Sequence, residues 1–127
     1  MNPLVTLGLH ATLVDQLAEA LIFADRDGCI RIWNRSATQL FGHEATEVLG
    51  QSLDCIIPER FRAAHWKGYN AAIAAGCAQH PGEVRRTRAV HKNGSNLYVE
   101  MSFGIVVDAD GLALGSVAVA RPAAPPG

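Results

Sequence analysis

A chain of 127 residues with 11 basic and 12 acidic side chains is almost neutral and has no long basic run, so a nucleic-acid surface is not expected. At this length one domain is expected, and burial of roughly 68% of the extended surface is enough for a core without disulfides or a structural metal. Cys29, Cys55 and Cys77 are widely spaced and form neither a CxxC pair nor a disulfide framework, which points to a reducing, cytoplasmic setting.

The N-terminus has no positive region and carries Asp15 early, unlike a signal or transit peptide. No apolar run approaches the ~20 residues that span a bilayer, so no membrane partner is expected. Residues 1–10 show little pattern. Over 11–20 the positions Leu13, Val14, Leu17 and Leu21 make a helical stripe that needs a partner, either its own domain or the same helix of a second copy. Residues 1–19 are therefore expected to form a flanking helix, and a homodimer through it is one expectation. Residues 20–24 (ALIFA) and 29–33 (CIRIW) flank a turn with Gly28 and read as a β-hairpin. Asn34 or Ser36 is placed to cap a short helix over 37–41 that Gly42 ends, and a further helical piece over 43–49 ends at Gly50. His10, His43 and His91 stand in polar or turn contexts and read as surface.

Pro58 begins a longer helix that runs to Gly76. On it Phe61, His65, Gly68 and Ala72 recur at helical spacing, which predicts one face with a histidine between an aromatic ring and two small residues. Such a face leaves a flat space for a planar, apolar group. Trp66 is expected on the outer face. Pro81-Gly82 breaks the chain before a strand over 83–91. Asn93-Gly94 is a hairpin turn, and residues 96–105 alternate, with Leu97, Val99, Met101, Phe103 and Ile105 on one side. A last apolar strand covers 112–120, and the proline-rich 122–127 is expected to be a disordered tail. Five antiparallel strands with helices grouped between them make an α+β domain over 20–121.

Asn34, Ala37, Leu40-Phe41-Gly42, Glu47, Gly50 and the Lys92-Asn93-Gly94 turn together resemble the PAS family over about residues 11–121. The resemblance implies a five-stranded sheet closing over a ligand-sized cavity against the central helix. It implies a sensory or dimerising role in place of catalysis, with a kinase, cyclase or DNA-binding regulator as output partner. The photosensing flavin subfamily places its reactive cysteine where this chain has Leu53. Cys55 lies two residues late, so flavin adduct chemistry is not expected.

The segment IPERFRAAH is similar to the matching stretch of haem-binding PAS domains from bacterial oxygen sensors. That resemblance implies b-type haem as cofactor, His65 as the proximal iron ligand seven residues after Pro58, and O2 or another diatomic gas as signal. A neutral imidazole suits haem iron, and distal polarity sets the response to the gas. The family's distal arginine, nine residues before the turn glycine, falls on Arg85. Taken alone, a two-residue Asn93-Gly94 turn would pair Arg86 with Met101 and aim Arg86 inward, whereas a bulge or longer loop reverses this in favour of Arg85. Val99, Met101 and Phe103 would form an apolar wall, with Gly68, Tyr69 and Ala72 beside the ring and His80 near a propionate. The family's propionate partner on the central helix has no clear counterpart, although Lys67 or Asn70 stand nearby. Met101 reads as core more readily than as a sixth iron ligand. The second reading is a cofactor-free dimerisation module holding a small apolar metabolite. No nucleophile–base or carboxylate pair stands out, so an enzyme is not expected.

Overall fold

The computed structural model describes residues 3–125, with side chains described from residue 8 onward. Helix α1 (Pro3–Gln16) leads into strands β1 (Ala20–Asp25) and β2 (Ile30–Trp33). Short helices α2 (Arg35–Phe41) and α3 (Ala45–Val48) follow, then two 3-10 turns, Leu53–Ile56 and Glu59–Phe61, and the longer helix α4 (Arg62–Ala75). Strands β3 (Arg85–Val90), β4 (Asn96–Val107) and β5 (Ala113–Pro122) complete one antiparallel sheet in the order β2-β1-β5-β4-β3. The architecture is the expected α+β one. The core lies between the inner face of the sheet and the helices, with Ile30, Phe41 and Val99 wholly enclosed.

Strand register decides which side chains meet the helices. Val90 faces Asn96 and Arg85 faces Met101. The hairpin therefore closes through a longer loop than two residues: the His91 N–H bonds to the Ser95 carbonyl, the Gly94 N–H bonds to the His91 carbonyl, and Gly94 takes φ +88°. That extra residue exchanges the faces relative to a simple Asn-Gly turn. Arg85, not Arg86, thus shares its side of the sheet with Met101 and Val99.

Several features differ from the sequence reading. Helix α1 occupies Pro3–Gln16, earlier than 11–20, with Pro3 at its first position, where a missing N–H costs nothing. The chain around its end is held by two side chains: the Asn34 amide donates to Val14 O (2.8 Å) in the last turn and to Glu19 O (3.1 Å) beyond it, and Ser36 Oγ donates to Leu17 O (2.6 Å). At the other end β5 runs to Pro122, and the Ala123 N–H donates to the Tyr98 carbonyl (2.8 Å), so the tail expected over 122–127 begins as an ordered extension. Residues 126–127 of that expected tail, and residues 1–2, lie outside the described residues. His43 and His91 are half-buried, not surface residues: the His43 ring lies edge-on to Trp33, and the His91 ring covers Gly42, whose φ of +85° admits no side chain there.

Asn34 is 2% exposed, and its four side-chain hydrogen bonds join three elements. Its Oδ1 accepts from Leu21 N (2.9 Å) and, as the N-cap of α2, from Ala37 N (3.0 Å). Asn34→Ala leaves buried donors and acceptors unpaired, so a loss of about 2–4 kcal/mol in denaturant unfolding is expected. A loss under about 0.5 kcal/mol would show that these bonds are replaced by water.

Candidate functional site

Helix α4 presents His65, Trp66, Tyr69 and Ile73 to the sheet. Two polar anchors fix that rotation. The Tyr69 hydroxyl, on a ring only 2% exposed, donates to the Asp25 carbonyl (2.5 Å) and accepts from Ser116 Oγ (3.3 Å). One turn earlier Trp66 Nε1 donates to Asp54 Oδ1 (2.7 Å), and its ring lies on Gly28, where any Cβ would collide with it. Trp66 is therefore an inward residue, contrary to the expectation from sequence. The helix turns far enough toward Trp66 and Tyr69 that Gly68 is exposed with open space around it, and Ala72 is half-buried beyond the site. The flat space expected over Gly68 and Ala72 is not formed there.

A cavity of about 280 Å³ lies instead at the N-terminal end of α4. Its floor is the inner face of the sheet: Ile22 and Ala24 from β1, Ala89 from β3, Met101 and Phe103 from β4, Ser116 and Ala118 from β5. Its roof is Leu53, Ile56, Ile57 and Pro58. The hollow exists because Ala24, Ala89, Ala118 and Ser116 are small where the helix cannot descend. Phe61 and Thr87 are the exposed lining residues, so the mouth opens between the second 3-10 turn and the free edge of β3.

His65 is the titratable ring in this lining. Its Nδ1 is shut off from solvent and has no hydrogen-bond partner among the described residues. Burial pushes its pKa below the ordinary 6.5, against an opposing pull from Asp54, so the ring is neutral at pH 7 and has a lone pair free. Its edge meets Trp66 (centroids 4.5 Å) and it lies beside Tyr69 (5.7 Å).

The other residues singled out in the sequence separate into three groups. Met101 and Phe103 line the cavity with His65. Val99 and Tyr69 are buried in the core alongside but do not reach the hollow, because Val99 packs one pair further along the strand and Tyr69 points past it to β1. Arg85 and His80 lie outside: Arg85 Nε pairs with Glu83 (3.4 Å), and His80 Nδ1 sits 3.2 Å from the same carboxylate, all well exposed. Leu53 lines the cavity while Cys55 does not, and burial pushes the Cys55 thiol pKa up, away from thiolate chemistry. Sequence reasoning missed Ser116 and Arg88. The small polar Ser116 within an apolar strand was a signal for the first; the second carried none, since strand alternation assigns Arg88 to the other face. Among the described residues no cluster of three His, Cys, Asp or Glu is placed to hold a bare metal ion.

Comparison with known proteins agrees with this arrangement. A family model for the PAS fold matches residues 9–123. The chain belongs to the PAS family. An uncharacterised protein of Azorhizobium caulinodans is 27% identical over 100 residues, which cover 78% of this chain but 14% of that protein, so this PAS domain spans a small part of that relative's length. The crystal structure of a PAS domain from Colwellia psychrerythraea superposes with a TM-score of 0.78 at 18% identity, covering 93% of this chain and 97% of that one. A PAS domain from a two-component sensor histidine kinase gives 0.74 at 16% identity, covering 96% and 100%. An RNA-binding light-oxygen-voltage receptor gives 0.74 at 18% identity, covering 96% of this chain and 34% of that chain. These likenesses establish the PAS fold. Among the described residues no helix is long and apolar enough to cross a membrane.

Because the Tyr69 hydroxyl fastens α4 to the sheet, Tyr69→Phe leaves the Asp25 carbonyl and Ser116 hydroxyl without it. A loss of about 1–3 kcal/mol in urea unfolding is expected, with the fold retained by circular dichroism. An unchanged midpoint would mean that the hydroxyl does not hold the helix.

Proposed function

We propose that this PAS domain is a sensory module in which His65 is the axial ligand of a b-type haem and O2, or another diatomic gas, is the signal. The supporting observation is the neutral, unpartnered imidazole of His65 set in an otherwise apolar hollow. An unpaired, solvent-excluded nitrogen calls for a partner that the fold does not supply. When bound, haem supplies an iron that takes up a diatomic gas, and the surrounding polarity tunes that affinity.

The donor fits and the enclosed volume is the constraint. A cavity of about 150 Å³ takes one benzene ring, so 280 Å³ holds roughly two. A macrocycle is seated only if Phe61 and its 3-10 turn swing away from the edge of β3. Ile22, Ala24, Met101, Phe103 and Ala118 would exclude water from the iron side of His65, and Arg85 would act as distal cation only after release from Glu83. That exchange, on an edge strand, is the step by which occupancy would alter the surface. His65, Met101 and Phe103 stand at the cavity itself; Tyr69 and Val99 pack beside it, and Arg85, His80, Gly68 and Ala72 lie outside it. The second reading, a small apolar metabolite in place of haem, is favoured by the same volume.

The hollow is read as a binding site, in keeping with a sensory module. The signal would pass to an output kinase, cyclase or regulator in a cytoplasmic setting that suits the three free thiols. Leu9, Leu13 and Leu17, spaced four apart on and just after α1 and 41–55% exposed, support a homodimer formed through that segment.

Protein purified with haemin is expected to show an intense Soret band that His65→Ala abolishes, while colourless protein that takes up no haemin contradicts the haem reading. In light scattering, Leu13→Glu is expected to convert a dimer to a monomer with the fold retained. A wild-type monomer at high micromolar concentration contradicts the dimer.

A further inference from the structure

The mouth of the cavity carries a charged side chain, Arg88, that forms no ion pair among the described residues. Arg88 lines the cavity from the edge strand, and its guanidinium carbon lies 5.4 Å from the Phe61 ring. Alternation places Arg88 on the opposite side of the sheet from Thr87 and Ala89, so the side chain reaches round the free edge of β3 to get there. Its Nε is shut off from solvent with no hydrogen-bond partner among the described residues, although the residue as a whole is half-exposed. Arg60 lies on the same ring at 4.7 Å.

Two of the carboxylates at hand are committed elsewhere. Asp54 accepts from Trp66 and lies 4.0 Å from Arg62, whose guanidinium also donates to the carbonyls of Ile57 and Asp54. Glu83 serves His80 and Arg85. Glu59, on the same turn as Arg60, forms no ion pair among the described residues. Two guanidinium groups around one aromatic ring at the rim of an apolar hollow, one with a desolvated and unsatisfied N–H, make a half-built anion site.

We propose that Arg88, aided by Arg60, recognises a carboxylate on the ligand whose apolar body fills the cavity. The inference rests on the reading of the hollow as a ligand site but not on the ligand being haem. The carboxylate belongs either to a free apolar acid of about two rings' size or to a side arm of a porphyrin. Arginine suits the role because its planar fork grips a carboxylate through two parallel bonds, a geometry that lysine lacks.

Two matched pairs of probes test this by isothermal titration on the whole chain: indole-3-acetate against indole, and haemin against haemin dimethyl ester. In at least one pair the acid is expected to bind tenfold or more tighter than its uncharged counterpart. Arg88→Leu is expected to remove that advantage while leaving the uncharged member's affinity unchanged, and Arg88→Lys to restore part of it. The proposal is overturned if in neither pair does the acid gain an advantage that Arg88→Leu removes, absence of binding included. The haem reading stands or falls separately, on a Soret band that His65→Ala removes. Indole-3-acetate binding through Arg88 without haemin uptake keeps the carboxylate site and rejects haem. Haemin and its dimethyl ester binding equally through His65, with no advantage for indole-3-acetate, keep haem and reject the carboxylate site.

Discussion

Two bonds on successive turns fix the rotation of α4, and the site depends on that rotation. The Tyr69 hydroxyl reaches across to the Asp25 carbonyl at the end of β1, and the Trp66 N–H reaches Asp54 in the first 3-10 turn. Trp66 can lie flat there only because residue 28 is a glycine at φ +81°. With those two rings anchored, His65 is carried onto the sheet side at the near end of the helix, where Ala24, Ala89 and Ala118 leave the floor low.

The same framework links the hollow to the N-terminal helix through adjacent atoms. Ile22 and Ala24 are part of the floor, and the intervening alternation leaves the Leu21 N–H bonded to Asn34 Oδ1. The amide of that asparagine holds the Val14 carbonyl in the last turn of α1 and the Glu19 carbonyl in the segment that follows. A ligand that shifts β1 therefore acts on the residue that positions α1, whose leucines are the exposed apolar surface of this end of the molecule. Adjacency supplies the route, and a signal along it requires two alternative arrangements at Asn34.

Much of this was legible in the sequence. Alternation over β4, the glycine-bearing turns and the capping asparagine placed every strand within a few residues, since each is a local signal of backbone preference. The proline and histidine around α4 singled out the imidazole that lines the cavity. The rotation of α4 was not legible, because it is set by a tyrosine bond to a backbone carbonyl 44 residues away and by a glycine in a distant turn. Periodicity alone offered His65-Gly68-Ala72 and His65-Tyr69-Ile73 equally. The facing of β3 hung on a single extra residue in its hairpin, and family spacing chose Arg85 where turn chemistry alone chose Arg86. Neither route pointed to Arg88, whose side chain leaves its own strand face by way of the sheet edge.

The central claim is that the His65 imidazole sits uncharged and unclaimed at a ligand cavity. Its ring protons and nitrogens, followed by nuclear magnetic resonance as pH is varied in ligand-free protein, report this directly. A midpoint below 6.5 is expected, with the neutral ring free of hydrogen bonds to the protein. A midpoint at or above 6.5 would place the ring in water or beside a carboxylate and contradict the account.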